Sequence, residues 1–203
     1  MGELVVAWVE MKKLSFYFGV LGVLAVTIAV PSGCARAPSA PRVTPPPTPK
    51  EIASADGLCR LTVPPTWSED NDLYPGAELQ VSNKKEELFV VVMAESKSEL
   101  DGMTKEKYSR ITRRALAKSL KAAKTTGPNK MTVGGAPGLQ YQISGKMDGM
   151  EVVYLHTAIE GRKSFYQVLA WTQKGKFDEA RPGFEQIIGS FKEAEASRLS
   201  NKK

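Results

Sequence analysis

Apolar and polar positions change their period several times along this chain, and each change marks an element. Cys59, Leu61 and Val63 alternate with Arg60 and Thr62, the two-residue period of a half-buried strand, and Pro64-Pro65 ends it. Residues 77–82 repeat a short strand, and residues 87–94 (ELFVVVMA) are nearly all apolar, as expected of a central strand buried on both faces. From about residue 104 to 124 the period becomes helical. Tyr108, Ile111, Ala115, Leu116, Ala122 and Ala123 fall on one side, with Thr112 and Ser119 among them, and Gly127-Pro128 supplies the breakers. Residues 130–133, 138–144, 150–160 and 164–172 return to strand patterning, with residues 145–149 and Gly161-Arg162 as their hairpin turns. Phe184, Ile187, Ile188 and Phe191 recur at helical spacing and place a last helix over roughly residues 177–191. The order is three strands, a helix, four strands and a helix. Tight hairpins imply a mostly antiparallel sheet of about seven strands. Two amphipathic helices must cover its faces, which makes the fold class α+β, an α/β sandwich.

The amino-terminal pattern is different. Residues 14–30 form a predominantly apolar run preceded by Lys12 and Lys13, and Ser32-Gly33-Cys34 follows it after Pro31. Basic start, apolar segment, small residues and cysteine resemble a bacterial lipoprotein signal peptide, which implies lipidation at Cys34 and removal of residues 1–33. The pattern departs from that family at Pro31, where an aliphatic residue is usual. An uncleaved anchor is the alternative, since about 17 apolar residues reach the lower limit for a membrane span. Either way Lys12 and Lys13 stay in the cytoplasm and everything beyond Cys34 is exported. Translation is expected to start at Met11, because Glu3 and Glu10 would cancel the two lysines. The resemblance implies a membrane contact through lipid at Cys34. Ala35 stands where inner-membrane lipoproteins of enterobacteria carry Asp, which implies the outer membrane over the inner, facing the periplasm, in a source with two membranes.

Six prolines, Pro38, Pro41, Pro45, Pro46, Pro47 and Pro49, follow within twelve residues. Such a stretch favours polyproline II and buries no core, so residues 34–54 are expected to form a semi-rigid tether reaching roughly 60 Å at about 3.1 Å per residue. Residues 55–193 form one domain of ordinary size, and 194–203 a polar tail. With Cys34 assigned to lipid, Cys59 has no partner, and the exported domain must hold without a disulfide.

Three patches link this domain to a known family. They are Leu61-Thr62-Val63-Pro64-Pro65-Thr66-Trp67, then Thr132-Val133-Gly134-Gly135-Ala136-Pro137-Gly138, then Phe184-Glu185-Gln186-Ile187-Ile188-Gly189-Ser190-Phe191. In that order they resemble the PsbP-like family, named for an extrinsic subunit of photosystem II and including exported bacterial lipoproteins. The resemblance covers most of residues 58–191 and implies the PsbP-like sandwich. It carries no catalytic or metal-binding residue over to this chain.

The residues offer little chemistry. His156 is the single histidine, and metal sites normally pool several ligands. Cys59 alternates with core positions and reads as a small buried hydrophobe. Residues 68–72 (SEDND) are acidic, but Tyr74 and Pro75 stand where a calcium loop needs its turn glycine. Gly134-Gly135 lacks the Lys-Ser/Thr of a phosphate loop. No Gly-x-Ser-x-Gly elbow occurs. No catalytic residue, metal site or cofactor is therefore expected, and the protein reads as a non-enzyme.

Charge changes that picture. Five of the 28 basic and two of the 22 acidic residues precede residue 51, which leaves 23 against 20 beyond it. On that modest excess, Lys107, Arg110, Arg113, Arg114, Lys118, Lys121 and Lys124 fall within roughly 140° of arc at about 100° per residue, with only Glu106 opposing them nearby. Such a patch attracts an acidic protein, a phosphate-bearing ligand or an anionic polysaccharide. Nucleic acid fits the electrostatics but lies in the wrong compartment for an exported protein. The main expectation is a lipid-anchored envelope protein with a binding or assembly role. Its rivals are a small-ligand carrier with a cleft near Trp67 and Trp171, and an enzyme whose site gathers His156 and carboxylates.

Overall fold

The computed structural model describes residues 48–194. The signal segment, Cys34, most of the tether and the tail from residue 195 lie outside the described residues.

Ten strands and two main helices follow one another as β1 (Lys50–Ala53), β2 (Cys59–Val63), β3 (Ser68–Glu69), β4 (Leu79–Asn83), β5 (Leu88–Ser96), α1 (Lys105–Ser119), β6 (Lys121–Val133), β7 (Ala136–Met147), β8 (Met150–Glu160), β9 (Ser164–Gln173), α2 (Lys174–Gly189) and β10 (Lys192–Glu193). Seven of the strands form an antiparallel sheet in the order β3-β4-β5-β9-β8-β7-β6, and β1, β2 and β10 form a small second sheet. The α+β class, the antiparallel sheet and its two helices are as the periodicity predicts.

Each face of the large sheet has its own core. Val90, Val92, Val153, Leu155, Val168 and Ala170 point to the side covered by α2 and β2, where they meet Phe177, Phe184, Ile187, Ile188, Leu61 and Val63. Val91, Met93, Ile143, Val152, Tyr154, Leu169 and Trp171 point to the other side, beneath Leu116 and Leu120 at the end of α1. Two-sided covering explains why β8 and β9 are buried at nearly every position. Helix α2 forms although it holds Gly175, Pro182, Gly183 and Gly189. Its Phe-Ile stripe packs well enough to override poor propensity.

The three patches behind the family resemblance converge on this α2 side. Trp67 sets its ring edge against Phe184 at 6.2 Å. Ser190 accepts a hydrogen bond from the Thr62 N–H at 2.8 Å, and Phe191 packs on Tyr166 with ring centres 4.9 Å apart. Gly134 and Gly135 form the two-residue turn between β6 and β7, with φ of 57° and 84°. A Cβ at Gly134 would collide with the Phe191 carbonyl oxygen. Only glycine fits that left-handed position.

Three boundaries differ from the sequence expectation. The folded unit begins by Lys50, because residues 50–53 of the expected tether pair with Arg60–Val63 as β1. The first helix stops at Ser119 rather than 124. Leu120 turns to extended backbone (φ −104°, ψ 139°), and β6 starts at Lys121. Residues 121–126 carry no helix breaker, so their helical look is a local preference overruled by pairing with β7. The last helix begins at Lys174 rather than 177.

Candidate functional site

Helix α1 presents the candidate surface. Thr104 caps it, accepting from the Lys107 N–H at 3.2 Å. Tyr108, Ser109, Thr112 and Leu116 are its buried stripe, the four-residue recurrence that fixes which side faces the sheet. Lys107, Arg110, Arg114 and Lys118 are thereby turned out to solvent. None of these four is in an ion pair with a described residue.

The other three expected members of the patch lie elsewhere. Arg113 is half-buried, with its guanidinium carbon 5.0 Å from the Tyr141 ring centre, a cation–π contact on the sheet side of the helix. Lys121 and Lys124 belong to β6. The register pairs Lys121 with Lys146 and Lys124 with Ser144, three residues on β6 against two on β7. That extra residue is a β-bulge, with Ala122 at φ 53°. It puts Lys121 and Lys124 on one face although their odd spacing would separate them. Their shared face is that of Gln142, which meets Arg181 of α2 at 3.4 Å. Ile143, which packs under α1, points the other way. Lys130 opposite Leu139 returns to the α1 face. A hydrogen bond to its own backbone holds the Glu106 carboxyl below the ordinary range, with the neighbouring Lys105 and then Lys130 acting in the same direction. The basic residues therefore flank the outer edge of β6 on both sides of the sheet, and residues 121–130 are exposed throughout.

Charge is divided across the width of the sheet. Residues 105–130 hold nine basic residues and one acidic one, whereas residues 68–101, which supply β3, β4 and β5 at the opposite edge, hold nine acidic and three basic.

The remaining sequence candidates are held within the packing and hydrogen bonding of the fold. Trp67 and Trp171 belong to cores on opposite faces of the sheet, so they share no cleft. Trp171 stacks between Phe89 and Tyr154 at 5.3 and 5.6 Å. A shallow hollow of about 450 Å³ lies at Met150, Glu151, Gln173, Lys174 and Gly175, away from both tryptophans. Asp70 of the acidic loop is buried, accepting from Ser82 Oγ at 2.7 Å and pairing with Lys84 Nζ at 3.1 Å. Burial pushes the Cys59 thiol up to about 11, away from the thiolate range that a nucleophile needs.

His156 lies fully buried on β8 beneath α1. Its Nε2 is 3.0 Å from Thr112 Oγ1, and Thr112 in turn donates to the Tyr108 carbonyl at 3.0 Å. The hydroxyl has one hydrogen, so Nε2 carries the imidazole proton. Nδ1 has no hydrogen bond of good geometry to a described group, although the Gln167 side chain beside the ring favours its charged form. Burial lowers the His156 pKa to about 4, with the Arg113 charge acting in the same direction. Tyr108 Oη and Ser109 Oγ also lack hydrogen-bond partners among the described residues, and the Gln167 side chain is buried beside the imidazole. Sequence reading missed this polar seam: Thr112 falls on the apolar side of the helix, but nothing along the chain joins it to Ser109, His156 or Gln167 until the helix is laid on the sheet. Among the described residues, no carboxylate is hydrogen-bonded to His156.

No protein-family model matches the chain, and no curated protein does. Solved structures do. Cyanobacterial PsbP (CyanoP) from Synechocystis sp. PCC 6803 is 15% identical, with a TM-score of 0.54 over 78% of this chain and 99% of that one. A mutant of the protein Mog1 is 12% identical, with a TM-score of 0.51 over 75% of this chain and 100% of its own. LpqN, described as involved in cell envelope biogenesis of Mycobacterium tuberculosis, is 13% identical, with a TM-score of 0.49 over 74% and 86%. At these identities the likeness establishes the fold: the domain is a PsbP-like α+β sandwich.

Proposed function

We propose that this chain is a non-enzymatic protein of the cell envelope, exported and held to a membrane by lipid at Cys34, whose PsbP-like domain docks an anionic partner on its basic surface. The observation that carries the reading is the exposed, unpaired row Lys107, Arg110, Arg114 and Lys118 on α1. Cations without described carboxylate partners on one helix face, on a domain whose far sheet edge is supplied by a segment with nine acidic residues against three basic, set up a field that steers an anion to α1. The sealed environments of His156 and Cys59 support a binding role over catalysis.

The test is retention of the full chain by an envelope fraction. The native protein is compared with Arg110→Glu, Arg114→Glu and Lys118→Glu combined, and with Cys34→Ala. Native retention should survive detergent removal of lipid and fall with rising salt. The triple reversal should lose at least nine-tenths of it with an unchanged thermal midpoint. Equal retention of the reversed and native proteins sinks the docking reading. Cys34→Ala separately reports whether the membrane attachment runs through that residue.

A further inference from the structure

We infer that the anionic partner is a flexible, linear anionic glycan, carrying carboxylate or phosphate groups along its chain, which wraps the β6 edge of the sheet. This deepens the anion-docking reading and rests on it. Three observations on the edge select such an occupant.

Among the described residues, strand β6 ends the sheet, pairing only with β7, and its residues 121–130 are exposed. From Lys121 to Lys130 it runs about 30 Å at ~3.3 Å per residue, a track that several sugar units would cover. Strand addition by an acidic peptide is blocked. The register slips between Lys121 and Lys124 and again between Thr126 and Asn129, and Pro128 offers no N–H. Bulges and proline protect an edge from a further strand. Recognition must therefore come from side chains, which suits a polymer that carries its charge on substituents.

The cations also point two ways. Arg110, Arg114, Lys118 and Lys130 lie on the α1 side, whereas Lys121, Lys124 and Lys146 lie on the α2 side. A planar bilayer meets one side at a time. A flexible chain can follow both. Lys121 and Lys146 stand directly opposite each other in register, an arrangement that is unfavourable between like charges. Glu151, opposite Lys146 on β8, is itself engaged by Lys174 at 3.3 Å, so an anion lying between the two lysines would relieve them. Neither lysine is in an ion pair with a described residue.

The experiment measures binding of the full chain, kept in detergent micelles, to polygalacturonate, to phosphatidylglycerol vesicles and to neutral dextran. It compares the native protein with an α1-side variant (Arg110→Glu, Arg114→Glu) and an α2-side variant (Lys121→Glu, Lys124→Glu, Lys146→Glu). Glutamine versions of the same sets guard against misfolding. The native protein should bind polygalacturonate and not dextran, and each variant should weaken that binding at least tenfold. An α2-side variant that binds polygalacturonate like the native protein overturns the wrapping geometry. Binding to vesicles alone, sensitive only to the α1-side changes, overturns the glycan and leaves anion docking standing. Salt-sensitive self-association without polymer, pairing the basic edge of one copy with the acidic edge of another, also overturns it. Binding to neither anionic probe overturns the glycan, and retention by the envelope fraction then decides whether anion docking stands.

Discussion

Replacing His156 with leucine probes the seam beneath α1 directly. In the native protein the imidazole is neutral and buried, with a pKa of about 4 against an ordinary 6.5. Between those values the unfolded chain takes up a proton that the folded chain refuses. Stability therefore falls as pH drops from about 6.5 to about 4, and this residue contributes no further loss below that. Linkage at RT ≈ 0.59 kcal/mol gives a loss of about 2 kcal/mol between pH 7 and pH 5, and about 3 kcal/mol by pH 4. His156→Leu deletes that dependence. At pH 7 the variant forfeits one hydrogen bond to Thr112, about 1 kcal/mol, but Thr112 keeps its bond to the Tyr108 carbonyl. The swap also removes the unpaired Nδ1, which lowers the cost of burial by about 1–3 kcal/mol. The two proteins should thus lie within about 1.5 kcal/mol at pH 7, a range common for similar-volume core swaps. At pH 5 the variant should gain about 2 kcal/mol on the native protein. Urea unfolding followed by tryptophan fluorescence at the two pH values gives the comparison. The carboxylates that burial pushes up, Glu78 and Glu95, titrate in both proteins and cancel in the difference. Parallel loss of stability by native protein and variant from pH 7 to pH 5 would refute a neutral, sealed His156.

Three further outcomes can be checked. Gly134→Ala should cost at least ~2 kcal/mol in thermal unfolding, since it combines a left-handed φ with collision against Phe191. Gly135→Ala, with open space around its Cβ, should cost only the ~1–2 kcal/mol of the left-handed backbone. Phe184→Ala, which empties a fully buried position beneath α2, should destabilise by about 3–5 kcal/mol, whereas Arg110→Ala on the exposed side of α1 should stay within about 0.5 kcal/mol. Cys59 should resist a thiol reagent at pH 8 until urea unfolds the domain, because burial holds its pKa near 11. Labelling of Cys59 at the rate of a free thiol would mean that the small sheet opens readily.

What the linear chain determined follows from the physics of local period. The runs at Cys59–Val63, Leu88–Ser96, Met150–Glu160 and Ser164–Gln173 are each decided by alternating or continuous apolarity, which survives any arrangement that buries them. The three family patches were legible for the same reason, although their meeting around Phe184, Ser190 and Phe191 was not. Tertiary structure decided what pairing and layering decide. Residues 121–126 have helical composition, and only the ladder with β7 makes them a strand. Trp67 and Trp171 are alike in sequence, yet the sheet stands between them. The basic patch was visible as composition, but its division around an edge depends on two register slips, one at Ala122 and one between Thr126 and Asn129. Side chains on a strand change face with every residue, so a single inserted residue re-aims all that follow. The polar seam at His156 was hidden for a related reason. Burial belongs to two surfaces brought together, and neither Thr112 on α1 nor Gln167 on β9 carries any mark of the other.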